Sequence, residues 1–467
     1  MYRGDFMSLS AKYQYTHFIY PFIIEKDKYS SFINNLLEQD KNWKLKIHEI
    51  REDEEAYNFF LPYMRKFLFP TLFWSNDFIK KYKSMANPKK ANILKRSSCV
   101  TFDFNLDNIK VGTVNKKRYG IIDFNIISIK VICFEPGVCF LDIKTEVEDD
   151  NENIDFDKIL DFNSIFRGVS PRNDSKDKLN IKAKGIDNIN DITIFIKSII
   201  SGFESNDLNK IYYDKMFTYS YVCLDKEDWN ENTNFENLKN DFYKFQYVTD
   251  SKSSAIFNND CKKLEENTYS RWKYSMFGFS RESGVVLVSE KEKYNITKMP
   301  HSFEKDYLYM LLLAFYQRMS LINFLQNLLK RDKTMIPKLN NELTKFTHFS
   351  WFSQITNSEH GMDIWKRWQS AFELSELYDE VHKEYVEYYN TVVTSGQSKI
   401  NIILIIMYTA SLIFSGLQIL SQMYSLERTW VEPFLIYSMI IVALSYPTFI
   451  IVRWIKHKLE RHLGGSI

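Results

Sequence analysis

Glycine and proline are scarce, 14 and 10 among 467 residues, which excludes a collagen-like or low-complexity chain. Neither G-x-G-x-x-G nor G-x-x-x-x-G-K-S/T occurs, so the glycine-rich phosphate cradles built on those patterns are absent. The five cysteines (Cys99, Cys133, Cys139, Cys223, Cys261) form no C-x-x-C pair, and the eight histidines include no H-E-x-x-H. Scattered thiols of this kind are expected to be buried in a reducing compartment, with no metal site among them. An excess of charge of one sign is missing too. The formal net charge is +2, so neither nucleic-acid wrapping nor an acidic polymer is indicated, and no direct nucleic-acid partner is expected. A secretory signal is not expected, because Arg3 and Asp5 open the chain and the apolar stretch Phe18 to Ile24 is broken by Pro21. No catalytic constellation stands out from the His, Ser and Asp residues, and the chain is not read as an enzyme.

The mean hydropathy of −0.33 averages a polar body with a very apolar end. From Ile400 to Leu426 there are 27 residues without a formal charge, and roughly 20 already span the hydrocarbon core of a bilayer. A second uncharged run, Pro433 to Val452, follows a connection holding Glu427, Arg428 and Glu432. Two spans so close together imply a hairpin. Beyond Val452 the charged residues are Arg453, Lys456, Lys458, Glu460 and Arg461, a net +3, which leaves −1 for everything before them. This basic tail, with Lys399 just before the first span, puts both termini in the cytoplasm by the positive-inside bias. A competing span, Tyr307 to Leu329, has Arg318 at its middle, which costs about 2.5–3.5 kcal/mol on insertion scales. It reads better as a buried core helix capped by Ser302, with Glu304 and Asp306 in its first turn.

The first span carries a polar stripe. Asn401, Tyr408, Ser411, Ser415, Gln418 and Gln422 fall at helical intervals on one face, with Leu404 the apolar member of the series. Hydroxyls and amides running through a bilayer favour contact with water or other polar groups, and several copies of the helix turned stripe-inward would line a pore. Close helix packing is the alternative. In a pore, Leu404 and Tyr408 are candidates for a constriction, and Glu427 and Glu432 for an acidic ring at the outer mouth.

The last hundred residues resemble the CorA-type family of two-span metal-ion channels: a long helix, about Asp363 to Ser395, runs into the first span, a short loop follows, and the second span ends in a basic tail. The resemblance implies a homo-oligomer, a pentamer, with the first span around a central pore. That family has Gly-Met-Asn at the outer end of the first span, where this chain has Gln422-Met423-Tyr424-Ser425. In lacking that motif and carrying a large body, the chain is similar to the membrane effectors beside type III CRISPR systems. That likeness implies antiviral defence, with a conjugate of S-adenosylmethionine and AMP as activating messenger. A magnesium transporter and a membrane-anchored enzyme or scaffold remain as alternatives.

The expected fold class is an α+β cytosolic domain followed by long helices and a C-terminal two-helix transmembrane hairpin, in a bacterial inner membrane. Residues 1–290 form the ligand-sensing domain, 291–395 a helical stalk, 396–426 the first span, 427–432 the outer loop, 433–452 the second span and 453–467 the tail. Strand-like runs occur near Cys99, from Gly120 to Phe134, from Val138 to Val147 and from Met216 to Leu224, and a hairpin is expected around Arg281 to Gly284. The acidic run Glu146 to Asp157 lacks the glycine of a calcium loop and reads as a connection. Trp365, Trp368 and Phe372, followed by Leu374, Leu377, Val381, Tyr385, Tyr388 and Val392, give the stalk helix an apolar seam, and Gly396 is a candidate hinge. Recognition of a nucleotide needs aromatic surfaces with Arg or Lys. Arg271, Trp272, Tyr274 and Arg281 on the hairpin supply both, as does the loop from Arg167 to Arg172.

Overall fold

The computed structural model describes residues 9–39, 42–50, 54–106, 109–116, 120–135, 137–149, 151–169, 178–183, 186–189, 192–200, 214–233, 235–253, 265–329, 336–424 and 437. The chain divides into two units: Met1–Gln326 with Asn341–Val381, and Asn327–Asn340 with His382–Ile467. The first is an α+β unit built on one mixed sheet, 13-stranded among the described residues. At its middle lies β1 (Ser10–Ile23). It pairs antiparallel with β6 (Val138–Val147) on one side and with β10 (Phe217–Leu224) on the other. From β6 the sheet continues through β5 (Gly120–Phe134). From β10 it continues through β13 (Ser283–Ser289), joined in parallel, to β12 (Ser275–Phe279).

The apolar runs singled out in the sequence are strands because both faces of the sheet are covered. Neighbouring positions, which point to opposite faces, are then both buried and the run is continuous rather than alternating. On one face Phe18 and Phe124 meet Phe162 of a helix at Phe156–Phe166, while Phe22 meets Phe32 of a helix at Tyr29–Glu38. On the other face Phe140 and Phe217 pack on Phe315, Phe134 on Tyr316, and Tyr219 stacks on Phe303 with centroids 4.0 Å apart. Cys99, Cys133, Cys139 and Cys223 are free and buried, and burial pushes the Cys99 and Cys133 thiols upward. Cys261 lies outside the described residues.

The stretch around Pro21, which the sequence reading weighed only as a secretory signal, lies within β1. The strand passes through Pro21, which pairs with Phe140 of β6. The ladder to β10 ends at Ile19, so the other side of the strand is unpaired at the position where an N–H is missing.

Residues Phe303, Phe315 and Tyr316 belong to the helix Met299–Leu329. Among the described residues it is the one helix long and apolar enough to cross a membrane, and 78% of its most apolar stretch is buried. Lipid and protein would both keep its leucines from water, so its polar side chains discriminate. Gln317 Nε2 donates to the Ser350 carbonyl at 2.8 Å and Arg318 donates to the Phe372 carbonyl at 2.6 Å, both within the first unit. The helix is an element of the core. It begins at Met299 with Pro300 in its first turn, earlier than the expected cap at Ser302, which makes no capping hydrogen bond. Residues Phe303–Tyr307 wind as a π-helical turn.

The stalk helix expected from Asp363 to Ser395 is two helices, Glu359–Ala371 and Leu374–Tyr424. Between them Glu373 adopts φ +50°, and Trp365, Trp368 and Phe372 turn into the core. The second helix runs for 51 residues and passes Gly396 without interruption. Leu374 and Val381 are fully buried, whereas Leu377, Tyr385 and Tyr388 are half-buried and the side chain of Val392 is not described. The second span, except Tyr437, and the basic tail lie outside the described residues.

Candidate functional site

The first unit holds a cavity of about 630 Å³, within the range of sites that enclose small organic ligands. Its wall is assembled from the end of β1 at Ile23, the helix Pro62–Leu68, the turn between β5 and β6, the helix Met299–Leu329, and the helix Ile336–Phe349 with the chain just after it. The turn contains Gly137 at φ +119°, where an added Cβ would lie 2.2 Å from the Ile24 carbonyl oxygen. Backbone just past the end of β1 therefore closes tightly over the hairpin, with the Ile24 amide donating to the Gly137 carbonyl at 2.8 Å.

The lining is aromatic, with cations among it. Phe67 meets Phe352 edge-on at 5.1 Å and lies 6.0 Å from Tyr316, while Phe346 lies 5.7 Å from Phe324. The Tyr316 hydroxyl donates to the Glu135 carbonyl at 3.0 Å and lies 3.0 Å from the Ser350 hydroxyl, and burial pushes this phenol up to about 12. Tyr63 and Phe349 also line the cavity with exposed rings. Lys26 is engaged by Glu342 at 3.1 Å. Lys66 and Lys345, both exposed, have no acidic partner among the described residues. Stacking surfaces beside free ammonium groups suit a flat aromatic ring that carries an anion.

The residues chosen from composition for that role stand elsewhere. The expected hairpin of β12 and β13 is present, but its basic residues fall at opposite ends of a five-residue strand, roughly 17 Å apart by strand rise. At one end Arg271 pairs with Glu359 at 3.0 Å, and Trp272 packs edge-on to His360 at 4.6 Å. His360 closes a chain of hydrogen bonds: its Nε2 lies 3.1 Å from the Tyr307 hydroxyl and its Nδ1 3.0 Å from the Tyr269 hydroxyl, which donates to Asp363 at 3.3 Å. Burial, then the charge of Arg271, lowers its pKa to about 4 against the pull of Asp363. Tyr274 instead faces Trp229. At the other end Arg281 is ion-paired with Glu373, and Arg167 with Glu282 at 3.2 Å. Arg172 lies outside the described residues. The hairpin arginines thus hold the helix Glu359–Ala371 and the break after it in place.

On the long helix Asn401, Leu404, Tyr408, Ser411, Ser415 and Gln418 are exposed on one face, with Leu404 and Tyr408 at 56% and 66%. The side chain of Gln422 is not described, and Glu427 and Glu432 lie outside the described residues. Two further arcs are distinct. Ile403, Ile406, Met407 and Ile413 form an exposed apolar face, and Ile402, Ile405, Thr409, Leu412 and Gly416 a half-buried one. The Ser415 hydroxyl donates to the Ser411 carbonyl at 2.9 Å and the Thr409 hydroxyl to the Ile405 carbonyl at 2.9 Å. The Ser415 hydroxyl, satisfied within its own helix, lowers the cost of the stripe in an apolar surrounding, so more of its demand for partners falls on Asn401, Tyr408, Ser411 and Gln418.

No family model, curated protein or solved structure matches the chain.

Proposed function

We propose that this chain is a ligand-gated membrane effector of the CorA-like type, whose body takes a nucleotide-like messenger in the aromatic cavity and whose C-terminal spans leak ions in response. The observation that carries the reading is the helix Leu374–Tyr424, which starts with side chains buried in the first unit and continues without a break into an uncharged run with exposed isoleucines. Exposed apolar surface on this scale is costly in water and ordinary in lipid. Its three faces suit three neighbours: lipid for the isoleucine arc, a packed helix for the half-buried arc, and other copies of the chain for the polar arc.

On this reading the hairpin is completed by residues 433–452, both termini lie in the cytoplasm of a bacterial cell, and five copies surround the pore. The candidate messenger is the S-adenosylmethionine and AMP conjugate implied by the resemblance. Its adenine rings match the aromatic walls and its phosphate matches Lys66 and Lys345. The messenger opens the pore only by binding the open state more tightly than the closed one.

Purified full-length chain in sealed liposomes tests this. Addition of the conjugate is expected to release a trapped ion indicator, and the double substitution Lys66→Glu with Lys345→Glu to raise the concentration needed by at least about tenfold, one lost charge-assisted contact being worth that much. If the vesicles stay sealed with every adenine nucleotide and open with a divalent cation alone, the metal-transporter alternative replaces the proposal. Vesicles that stay sealed under both conditions leave the hairpin as an anchor.

A further inference from the structure

A near-neutral chain conceals one strongly basic surface. Residues 76–96 hold six lysines and one arginine against a single acid, Asp77. That is a net +6, so the rest of the chain sums to −4. The segment folds as two short helices, Asn76–Lys83 and Asn87–Leu94, whose inner faces join the core through Tyr82, Ala91 and Leu94. The apolar positions face inward, so the cations are left outside. Lys80, Lys81, Lys83, Lys89 and Arg96 are exposed and have no acidic partner among the described residues. Lys90 is half-buried over the Tyr82 ring at 5.9 Å. The helix packed alongside, Tyr29–Glu38, adds one exposed carboxylate, Glu38, which accepts a hydrogen bond from Asn34. At the entry to the first basic helix, Phe73 is 54% exposed and Trp74 half-buried.

We propose that this face docks on an anionic lipid surface. Lysine dominates it, and lysine acts as a flexible point charge, suited to a diffuse sheet of headgroups, whereas ordered phosphates are better matched by the fork of arginine. An exposed aromatic ring at the edge of a basic helix pair fits the headgroup boundary. The proposal rests on the membrane reading only for the supply of the surface: a chain anchored in a bilayer has headgroups at high effective concentration, but the charge pattern is independent of the anchor.

The test is amine labelling of the full chain in nanodiscs, read by mass spectrometry at each lysine. Lys80, Lys81, Lys83 and Lys89 are expected to be protected several-fold in discs containing phosphatidylglycerol relative to phosphatidylcholine alone, with the protection lost in high salt. Replacing those four lysines with glutamine is expected to weaken flotation of the full chain with preformed phosphatidylglycerol vesicles by at least about tenfold, with the melting temperature unchanged. Equal labelling in the two kinds of disc overturns the proposal, and so does protection by an RNA oligonucleotide that anionic vesicles do not reproduce. Failure to incorporate into discs speaks against the membrane anchor alone. The wild-type chain is then still expected to float with anionic vesicles, and its failure to do so overturns the docking face.

Discussion

Two histidines are buried as neutral rings by the fold, and both bear on how it responds to acid. His360 bridges two tyrosines, with its pKa lowered to about 4 chiefly by burial. His48 sits against the Thr71 hydroxyl at 2.8 Å, with its pKa lowered to about 3 by burial and then by Lys46. In the unfolded chain each takes up a proton near pH 6.5, before the folded form does. Stability is therefore full above that pH and falls as the pH drops toward the folded values, each group contributing at most about 1.4 kcal/mol per unit. Melting curves between pH 7 and 4 are expected to show this decline, and His360→Gln to flatten part of it while lowering the melting temperature at pH 7. A variant with unchanged pH slope would mean that His360 does not stay neutral in the fold. Neither histidine was marked in the sequence. A neutral buried ring is made by residues far along the chain, such as Tyr307 and Tyr269 for His360, and no local spacing announces them.

At the scale of elements, what was legible depended on whether a pattern was local. The strands β3 (Cys99–Phe104), β5, β6, β10, β12 and β13 fall where continuous apolar runs end at turn residues, because each run is itself the record of burial on two faces. The break at Phe372 and Glu373 was not legible, since the apolar spacing continues through it and the interruption is made by groups from elsewhere: the Arg318 guanidinium on the Phe372 carbonyl and Arg281 on Glu373. The turn between β5 and β6 shows the same dependence. Its Gly137 is required twice, by the turn's own φ of +119° and by the Ile24 carbonyl that follows β1, and the second demand comes from far along the chain. Gly137→Ala is expected to cost more than about 1–2 kcal/mol and to lower the melting temperature. It would also disturb the cavity wall, so weaker nucleotide binding should accompany the loss of stability. A neutral variant would show that the turn can change its φ and the Ile24 carbonyl can move aside together.

For the whole molecule, the sequence divided the chain by hydropathy, and the aromatic cavity lies where hydropathy is silent. The cavity draws Ile23, Lys66, Glu135, Tyr316, Lys345 and Phe352 from across more than three hundred positions, so composition pointed instead to arginines that turned out to be ion-paired. The polar helix face, by contrast, was local and could be read, but what it does depends on copies of the chain around it. Ser415 and Gln418 separate the readings, because the Ser415 hydroxyl is satisfied by its own helix and the Gln418 amide extends from an exposed position. If the face lines a water path, Gln418→Leu should cut ion flux through messenger-treated vesicles steeply and Ser415→Leu less so, with messenger binding to the body unchanged. If the face only packs helices, both leucines should leave flux intact or strengthen association between copies. If the hairpin is an anchor, neither change alters any response of the body. Flux, binding and subunit association measured on the same three proteins distinguish these outcomes.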